Sequence, residues 1–351
     1  MLTLVNVLGR LSRRSFTFPT ATQDLTSWSQ PGDVSFEPLS SKLLQALSWC
    51  IPALTYDKHK GQVGRICIIG GSNEYTGAPH YAAISALKCG ADLATIITTE
   101  SAAIPIKSYN PEHIVLPWLE GEDAVKNIID SLPKFHSVVL GPGLGRDSKQ
   151  LQIAERLIYE IKERGLPLVI DADGMYLITQ KPDIIKGYDK VILTPNAAEF
   201  DRLYTVVLQK APTEGEPIID VKRLARKLQV TILRKGFIDI ISDGSESLVV
   251  NTEVSPRRSG GQGDILAGLL GVFNYWMHVA QSMPHMINER HMGLYGPTLL
   301  AAVSACALTR ECNKAAFDKH GRSTLATDMI DEIGTVFVDI FGKDRTAGIY
   351  S

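Results

Sequence analysis

The strongest constraint on the fold is a repeating pattern in which an apolar run ends in glycine or a polar side chain and a helical pattern follows. Five such runs begin at Arg65, Asp92, Ser137, Leu166 and Val191. Apolar strands that alternate with helices predict an α/β protein with a central, mostly parallel sheet, helices on both faces and right-handed crossovers. Glycines and polar residues fall at the carboxyl ends of the strands, the side on which open α/β sheets bind ligands.

The remaining segments extend this pattern. Apolar residues have helical spacing in 39–51, 77–90, 151–163 and 220–228, and the small residues of 77–90 allow another backbone to approach closely. Asp243-Gly244 is a strong signal for a hairpin between two apolar arms. From Asp264 onward the chain is predicted to be mainly helical, including 297–309, with a loop at 282–293. Because no clear linker follows Ser40, one domain is favoured over two.

The charge balance and the cysteines argue against several classes of partner and site. The 351 residues contain 36 Lys and Arg against 38 Asp and Glu, which gives no general reason to expect nucleic acid or a membrane as partner. No apolar run approaches the roughly 20 residues of a membrane span. The five cysteines form no CxxC pairs, so neither a zinc site nor a disulfide framework is indicated. Small-molecule chemistry in a reducing compartment is the expectation.

The first residues differ in composition from the rest of the chain. Arg10, Arg13 and Arg14 stand among Ser, Thr and Leu, and no acidic residue precedes Asp24. This composition is typical of a mitochondrial transit peptide, and a disordered basic tail is the alternative. We therefore expect an N-terminal targeting or disordered segment over 1–38, a folded domain over 39–344, and a mitochondrial or cytoplasmic location, or both.

The stretch from Arg257 to Asp264 has the composition of an anion-binding loop. Gly260, Gly261 and Gly263 can wrap backbone N–H groups around a phosphate, and a helix predicted to begin at Asp264 directs its free N–H groups to the same point. An aspartate there would repel a phosphate, so its presence suggests a general base that acts on a hydroxyl beside that phosphate. The alternative is that Asp264 is only a helix N-cap after an ordinary turn.

Three further groups of polar residues follow predicted strands. Asn196 and Glu199 open a helix, where they can form a capping box or hold Mg²⁺ through water. Asp171 and Asp173 suggest acid–base or metal chemistry, whereas the simpler interpretation is a helix N-cap at Asp173 and bonds from loop amides to Asp171. Lys235 can bring an ammonium group to a nucleotide, or it is a solvated surface lysine.

Taken together and in order, these motifs are similar to those of the ATP-dependent (S)-NAD(P)H-hydrate dehydratase family, in its eukaryotic branch. The resemblance runs from about Tyr56 to about Ile340, and it implies a ribokinase-like three-layer sandwich without the lid domain of the sugar kinases. The motifs that carry it are Gly141-Pro142-Gly143-Leu144-Gly145, Asp171-Ala172-Asp173-Gly174, Thr194-Pro195-Asn196-Ala197-Ala198-Glu199-Phe200, Lys235-Gly236 and Gly260-Gly261-Gln262-Gly263-Asp264.

The resemblance also implies an activity. In this family ATP drives the dehydration of (S)-NADHX and (S)-NADPHX to NADH and NADPH, with release of ADP and phosphate. The implied mechanism is phosphoryl activation of the C6 hydroxyl, with Asp264 as the base. Mg²⁺ is the expected cofactor, with Glu199 as a candidate ligand through water. NAD(P)H-hydrate epimerase is the expected metabolic partner, and the sequence leaves open whether the chain forms a homo-oligomer.

The same resemblance implies two sets of binding residues. Those expected to contact the hydrated nucleotide are Gly143, Gly145, Asn196, Ala197, Ala198, Glu199, Phe200, Asp201, Arg202 and Asp264. Those expected to hold ATP are Lys235, Gly236, Phe237, Ile238, Asp239, Val254, Ser255, Pro256, Arg257, Arg258, Ser259, Gly260, Gly261, Gln262 and Gly263.

Two other functions fit the same pattern. A small-molecule kinase for a vitamin-precursor alcohol would keep the fold but release a stable phosphate ester. A non-catalytic nucleotide-binding module would bind ATP without releasing phosphate. Analysis of the products separates both from the dehydratase, which releases free phosphate and restores the absorbance of the reduced dinucleotide.

Overall fold

The structure, a computed structural model, describes residues 37–38, 43, 47–252, 255–282 and 295–342. Within these residues, ten strands form one sheet in the order β1-β10-β9-β8-β7-β6-β5-β2-β3-β4. The strands are β1 (Glu37–Pro38), β2 (Arg65–Ile69), β3 (Leu93–Ile97), β4 (Ile114–Leu116), β5 (Ser137–Leu140), β6 (Leu168–Ile170), β7 (Val191–Leu193), β8 (Thr231–Arg234), β9 (Asp239–Ser242) and β10 (Ser247–Val250).

The sheet is mostly parallel, as the alternation of apolar runs and helices predicts. The seven strands β8, β7, β6, β5, β2, β3 and β4 run parallel to one another, whereas β9 is antiparallel to both β8 and β10. The predicted hairpin at Asp243-Gly244 joins β9 to β10. The Asp243 carboxylate accepts hydrogen bonds from the N–H groups of Ser245 and Glu246, and Gly244 has a φ of +92°.

Ten α-helices are described. They are α1 (Gly77–Cys89), α2 (Glu100–Tyr109), α3 (Ala124–Ser131), α4 (Ser148–Glu163), α5 (Asp173–Gln180), α6 (Ala197–Leu208), α7 (Pro217–Leu228), α8 (Gln262–Gln281), α9 (Pro297–His320) and α10 (Ala326–Phe341).

The helices cover both faces of the sheet, which confirms the predicted three-layer sandwich. Alternate residues of β2 show the division, because Ile66 and Ile68 belong to one core while Cys67 and Ile69 belong to the other. Apolar residues of α1, α2 and α8–α10 build the first core, and those of α3–α7 build the second. Strands buried on both faces account for the continuous apolar runs in the sequence.

Close packing between α1 and α8 fixes the position of the glycine-rich loop that precedes α8. A Cβ at Gly268 would lie 2.0 Å from the carbonyl oxygen of Ala82, so these two helices touch through small residues, as the composition of 77–90 predicts. Farther along α8, the Trp276 indole N–H donates to the carbonyl oxygen of Val63 at 2.6 Å. Helix α8 is thereby held along its length, and its first turn is placed beside the ends of β5 to β8.

Several element boundaries differ from those expected. Helix α8 begins at Gln262, two residues before the predicted start, and α9 continues to His320 beyond the predicted helical segment. Strand β4 and helix α2 were not anticipated, because three-residue strands and helices with an internal proline give weak patterns. Most of the predicted 282–293 loop and of the 39–51 helix lies outside the described residues, although Leu43 and Leu47 are helical and buried. No helix in the described part of the chain has the length and apolarity to cross a membrane.

Candidate active site

The residues singled out from the sequence meet at the carboxyl ends of β5 to β8. Backbone hydrogen bonds continue the sheet past its strand ends, since the N–H groups of Asp171, Thr194 and Lys235 each bond to a carbonyl on the neighbouring strand or turn at 2.9–3.1 Å. These bonds bring residues that are distant in sequence to one edge of the sheet, and we call the surface formed by Asp171, Thr194 and Lys235 the ledge. The prediction that ligand-binding polar residues collect at this edge follows from the parallel topology.

The Gly141–Gly145 turn leaves β5 in a conformation that needs glycine. Gly141 has a φ of +122°, and a Cβ there would lie 1.9 Å from the carbonyl oxygen of Asp171. Only glycine therefore lets the turn after β5 pack directly on the turn after β6. Next to it, Gly143 lies against Tyr75, at the approach to α1, and Gly145 lies against Ser72.

Asp171 is the centre of a buried polar network. Its Oδ1 atom accepts a hydrogen bond from the Thr194 hydroxyl at 2.6 Å and from Lys235 Nζ, also at 2.6 Å. The Asp171 side chain is 3 % exposed and the Lys235 side chain 21 % exposed. The expectation that loop amides satisfy Asp171 is therefore wrong, and Lys235 is not a solvated surface lysine.

The charge on Lys235 is maintained by its acidic neighbours. Burial alone would lower the pKa of Lys235, but the charge of Asp171 and its hydrogen bond outweigh burial, and Glu199 and Asp264 add to the rise above the ordinary value. The ammonium group thus stays protonated near neutral pH. Among the described residues, Nζ donates only to Asp171, which leaves N–H groups for an anionic ligand.

Asp264 lies in the first turn of α8, directly beside this network. A Cβ at Gly263 would lie 3.5 Å from Lys235 Nζ and 3.9 Å from Asp171 Oδ2, which places the start of the helix against both side chains. Burial and, to a smaller extent, the charge of Asp171 raise the pKa of Asp264 to about 7, although the charge of Lys235 opposes both. A carboxyl group that titrates near neutral pH suits proton transfer.

The structure corrects the alternative role considered for Asp264. Gly261, in the left-handed region with a φ of 91°, is the N-cap of α8, and it makes no side-chain capping bond. Asp264 is the third residue of the helix, so it is neither the first helical residue nor an N-cap. The Gln262 side chain instead braces the loop by donating to the carbonyl oxygen of Arg257 at 3.2 Å and to the Ser259 hydroxyl at 3.1 Å.

The Asn196 and Glu199 pair forms a capping box at the start of α6. Asn196 Oδ1 accepts from the N–H of Glu199 at 3.0 Å, and Glu199 Oε2 accepts from the N–H of Asn196 at 2.8 Å. The capping alternative is confirmed. In the described residues, Glu199 Oε1 has no such bond, so one carboxylate oxygen is left for a hydrated cation, and the magnesium role stays a prediction. No three His, Cys, Asp or Glu side chains of that part of the chain group around one metal position.

The residues after Glu199 divide into exposed and buried positions. Ala197, Ala198, Asp201 and Arg202 are exposed on the first turns of α6. Phe200 is only 1 % exposed, with its ring packed against Tyr204. Its predicted contact with the hydrated nucleotide is untested, and its position in the core shows that it anchors the helix start.

Arg310, which the sequence did not mark, organises the Lys235–Asp239 loop. Its guanidinium pairs with Asp239 Oδ2 at 3.0 Å and donates to the carbonyl oxygens of Phe237 at 2.6 Å and Thr252 at 2.9 Å. Asp239, predicted to hold ATP, uses its other carboxylate oxygen to accept from the N–H of Gly236. The loop is therefore held from α9, 71 residues away in sequence, where no local motif signals the contact.

The loop from Ser255 to Gly263 is braced by the same helical layer. The Ser255 N–H donates to Asn313 Oδ1 at 3.0 Å, and Arg257 Nε donates to the carbonyl oxygen of Thr324 at 3.3 Å. Pro256, Arg258 and Gly260 are exposed and face away from the core. Val254, also predicted to hold ATP, lies outside the described residues.

Asp173 and Ala172 shape the turn after β6. Asp173 is the first residue of α5 rather than its N-cap, and its carboxylate accepts from the N–H of Gly145 at 2.9 Å and from Arg146 Nε at 3.1 Å. It ties the β6 turn to the β5 turn. Ala172 has φ 49° and ψ −118°, a conformation that is strained for a residue with a side chain.

Two clefts flank the ledge. One of about 480 Å³ is lined by Ser72, Thr99, Gly145 and Arg146, among others, on the β2 and β3 side. The other, of about 560 Å³, lies between α6 and the Lys235–Asp239 loop, with Phe200, Asp201 and Phe237 in its wall. Both fall in the size range of small-molecule sites.

Comparisons with known proteins agree with this site. The sequence pattern of the NAD(P)H-hydrate dehydratase family matches residues 66–335. Two proteins named ATP-dependent (S)-NAD(P)H-hydrate dehydratase are similar to the chain. The one from Ciona intestinalis is 47 % identical over 305 residues, which cover 86 % of this chain and 82 % of that protein. The one from Danio rerio is 50 % identical over 296 residues, which cover 83 % and 86 %.

Solved structures share the fold. A ribokinase-like superfamily protein from Enterococcus faecalis matches with a TM-score of 0.71 and 24 % identity, over 89 % of this chain and all of that one. The ADP/ATP-dependent NAD(P)H-hydrate dehydratase of Bacillus subtilis, co-crystallised with ATP/Mg²⁺, matches with a TM-score of 0.64 and 23 % identity, over 88 % and 99 %. The fold is thus ribokinase-like, and on its sequence this chain belongs to the NAD(P)H-hydrate dehydratase family.

Proposed function

We propose that this protein repairs hydrated nicotinamide nucleotides, using ATP to dehydrate (S)-NADHX and (S)-NADPHX to NADH and NADPH with release of ADP and phosphate. The observation that carries this proposal is Asp264, a mostly buried carboxyl group with a pKa of about 7 that lies in the first turn of α8, behind a glycine-rich loop and beside the Lys235 ammonium group. A base, an anion-binding loop and a fixed cation are what phosphoryl transfer to an alcohol requires.

Hydroxide is a poor leaving group at neutral pH, so activation must come before elimination. Asp264 takes the proton of the C6 hydroxyl while that oxygen attacks the γ-phosphorus of ATP and the bond to the β-phosphate oxygen breaks. The N–H groups of Gly260 to Gly263 and the Lys235 ammonium offset the charge on the transferred group. Phosphate then leaves C6 with electron donation from the ring nitrogen, and loss of the C5 proton restores the ring double bond.

Magnesium is part of the proposal. The protein offers oxygen ligands that suit this ion, with Glu199 bound through water as the candidate, because one of its carboxylate oxygens is not used by the capping box. When bound, the ion would offset the charge of the ATP phosphates. The co-crystallised ATP/Mg²⁺ of the Bacillus subtilis enzyme supports the same choice.

The cellular setting follows from the same reaction. Because the enzyme acts on the S hydrate, we propose that NAD(P)H-hydrate epimerase supplies it by converting the R form. We also propose a mitochondrial location, a cytoplasmic location, or both, from the three arginines that precede the first acidic residue, Asp24. Fusion of residues 1–38 to a fluorescent protein, with Arg10, Arg13 and Arg14 replaced by Gln as the control, tests the mitochondrial part.

The direct test is incubation of purified protein with (S)-NADHX, ATP and Mg²⁺ while the absorbance of NADH is followed. Recovery of absorbance, with one free phosphate released per NADH, is expected. Omission of ATP, or replacement of the S hydrate by a hydroxymethylpyrimidine or hydroxyethylthiazole, provides the controls. A folded protein that restores no absorbance, or that accumulates a stable phosphate ester of the alcohol, would contradict the proposal.

A further inference from the structure

The buried Asp171 carboxylate is not used in the proton transfer described above, yet its cation partner belongs to the site. Lys235 Nζ lies 2.6 Å from Asp171 Oδ1, and the Thr194 hydroxyl donates to the same oxygen at 2.6 Å. The Thr194 hydroxyl also lies 3.2 Å from the carbonyl oxygen of Ile170. Asp171 is thus fixed by the backbone of β6 and by Thr194 after β7, and it fixes Lys235 in turn.

Lys235 has a long, flexible side chain with three acidic residues near its ammonium group. The charges of Asp171, Glu199 and Asp264 all act on its ammonium group. A direct ion pair with Asp264 would hold that carboxylate in its charged form and weaken it as a base, because an opposite charge at close range stabilises the anion. The proposed reaction therefore needs a group that holds the Lys235 ammonium near the transferred phosphate and away from a direct ion pair with Asp264.

We propose that Asp171 is a positioning residue, supported by Thr194, that binds the Lys235 ammonium so that it faces the phosphoryl group of ATP while Asp264 stays free to accept a proton. This inference rests on the proposed dehydratase function and adds two residues, Asp171 and Thr194, to the functional site.

The charged groups around Asp264 support this arrangement. Asp171 approaches from β6 and Lys235 from β8, with opposite effects on the charge of Asp264, and Glu199 at the start of α6 acts on Lys235. In an Asp171→Asn variant, one negative charge beside Asp264 disappears and Lys235 is released toward it. Both changes favour the ionised form of Asp264, so its pKa falls. A buried carboxylate that lies apart from Asp264 would not produce this shift when it is replaced by an amide.

The chain offers a matched control in Asp220. This aspartate is also fully buried, and it also binds a hydroxyl, that of Tyr204, and a cation, Arg223, at 2.6 and 2.7 Å. It lies at α7, apart from the residues that approach Asp264. Asp220 also lines the cleft of about 560 Å³ between α6 and the Lys235–Asp239 loop. Asp220→Asn therefore removes a buried carboxylate of the same kind without changing the charges beside Asp264, which are those of Asp171 and Lys235.

The experiment measures kcat and KM for (S)-NADHX as functions of pH in the wild type, Asp171→Asn, Thr194→Val, Thr194→Ser and Asp220→Asn. For Asp171→Asn we expect at least a tenfold loss of kcat at the pH where activity is greatest, with KM for the hydrate within about twofold of the wild type. We also expect the acidic limb of the profile, where kcat falls as the pH is lowered, to move by about one pH unit to lower pH. Thr194→Val should lose kcat severalfold, and Thr194→Ser, which keeps the hydroxyl, should restore it. Asp220→Asn should show the same acidic limb of the kcat–pH profile as the wild type.

A titration of the Asp264 carboxyl by ¹³C NMR, identified by its absence in Asp264→Asn, provides a readout that does not depend on turnover. If the wild type fails to dehydrate the hydrate, the proposed function falls, while the titration still tests whether Asp171→Asn lowers the pKa of Asp264. The inference is overturned if folded Asp171→Asn and Thr194→Val keep kcat within twofold with an unmoved limb. It is also overturned if Asp171→Asn leaves the Asp264 titration unchanged.

Discussion

Asp171 and Asp220 are two buried aspartates with the same kinds of partner in different places. Asp171 binds the Thr194 hydroxyl and Lys235 at the carboxyl edge of the sheet, whereas Asp220 binds the Tyr204 hydroxyl and Arg223 between α6 and α7. Both would be costly to leave unpaired in the interior. Judged only by burial and pairing, the two networks are equivalent.

The difference lies in what each network faces. Both oxygens of Asp220 are used, because the second accepts from the N–H of Thr213, and the network closes on itself. The Asp171 network instead faces the start of α8, where the charge of Asp171 raises the pKa of Asp264 and that of Lys235 lowers it. The residue after Asp171 also has a strained backbone. A buried ion pair thus indicates function when a second titratable group with a shifted pKa lies next to it.

The largest effect is expected from Asp264→Asn. Loss of the base should lower kcat by about 10²–10⁴-fold while ATP still binds. Between its ordinary pKa and about 7, the folded state binds the Asp264 proton more tightly than the unfolded state, so this group's contribution to stability falls as pH rises through that window. The neutral Asn should therefore match or exceed the wild-type melting temperature at pH 8. Near-wild-type turnover would contradict the role of Asp264, and Asp220→Asn is the variant for comparison.

The second effect is the pH profile of the wild type. Because the base must be ionised and the pKa of Asp264 is about 7, kcat/KM for the hydrate should fall about tenfold for each pH unit below that value. Substrate binding changes the surroundings of Asp264, so the profile of kcat/KM, which reports the free enzyme, is the one to compare. A profile that stays flat down to pH 5 would show that no group with this pKa limits the reaction.

The fold was largely predictable from the sequence because its signals are local. The runs at Ser137 and Val191 are buried on both faces, and the alternation with helices dictates a parallel sheet whose carboxyl ends share one edge. Asp243-Gly244 predicted the hairpin, because this dipeptide tolerates the turn's backbone angles. Missed elements such as β4 are short, so too few residues carry their periodicity.

The site was predictable only in part, because its partnerships cross long stretches of chain. The motifs identified Lys235 and Asp264, but the bond from Lys235 to Asp171 spans 64 residues and that from Arg310 to Asp239 spans 71. No local pattern encodes such pairs. The start of α8 was misplaced for a related reason, since a left-handed Gly261 acts as N-cap without the side-chain oxygen that sequence rules look for.

The third effect tests the closed network. Asp220→Asn should lower the free energy of unfolding by about 1–3 kcal/mol, because the Thr213 N–H then faces an amide and the half-exposed Arg223 loses its charged partner. Turnover per folded molecule should stay within twofold of the wild type. Chemical denaturation, with activity measured on the folded protein, checks both. If Asp220→Asn lost kcat without losing stability, Asp220 would have a functional role like that proposed for Asp171.

The smallest effect concerns the backbone next to Asp171. Ala172, at φ 49° and ψ −118°, has a conformation that glycine adopts at low cost, so Ala172→Gly should relieve strain of about 1–3 kcal/mol. The larger entropy of the unfolded glycine chain offsets about 0.4–1 kcal/mol of that gain. Gln229→Gly is the control, because Gln229 has an ordinary left-handed conformation at φ 56° and ψ 48°, so that its replacement should change stability less.

If the strain at Ala172 helps to hold Asp171, Ala172→Gly should be more stable but have a lower kcat, with the acidic limb of its pH profile displaced in the same direction as in Asp171→Asn. An Ala172→Gly variant that is less stable than the wild type would show that the surroundings fully compensate this conformation, and that only the side-chain contacts separate Asp171 from Asp220.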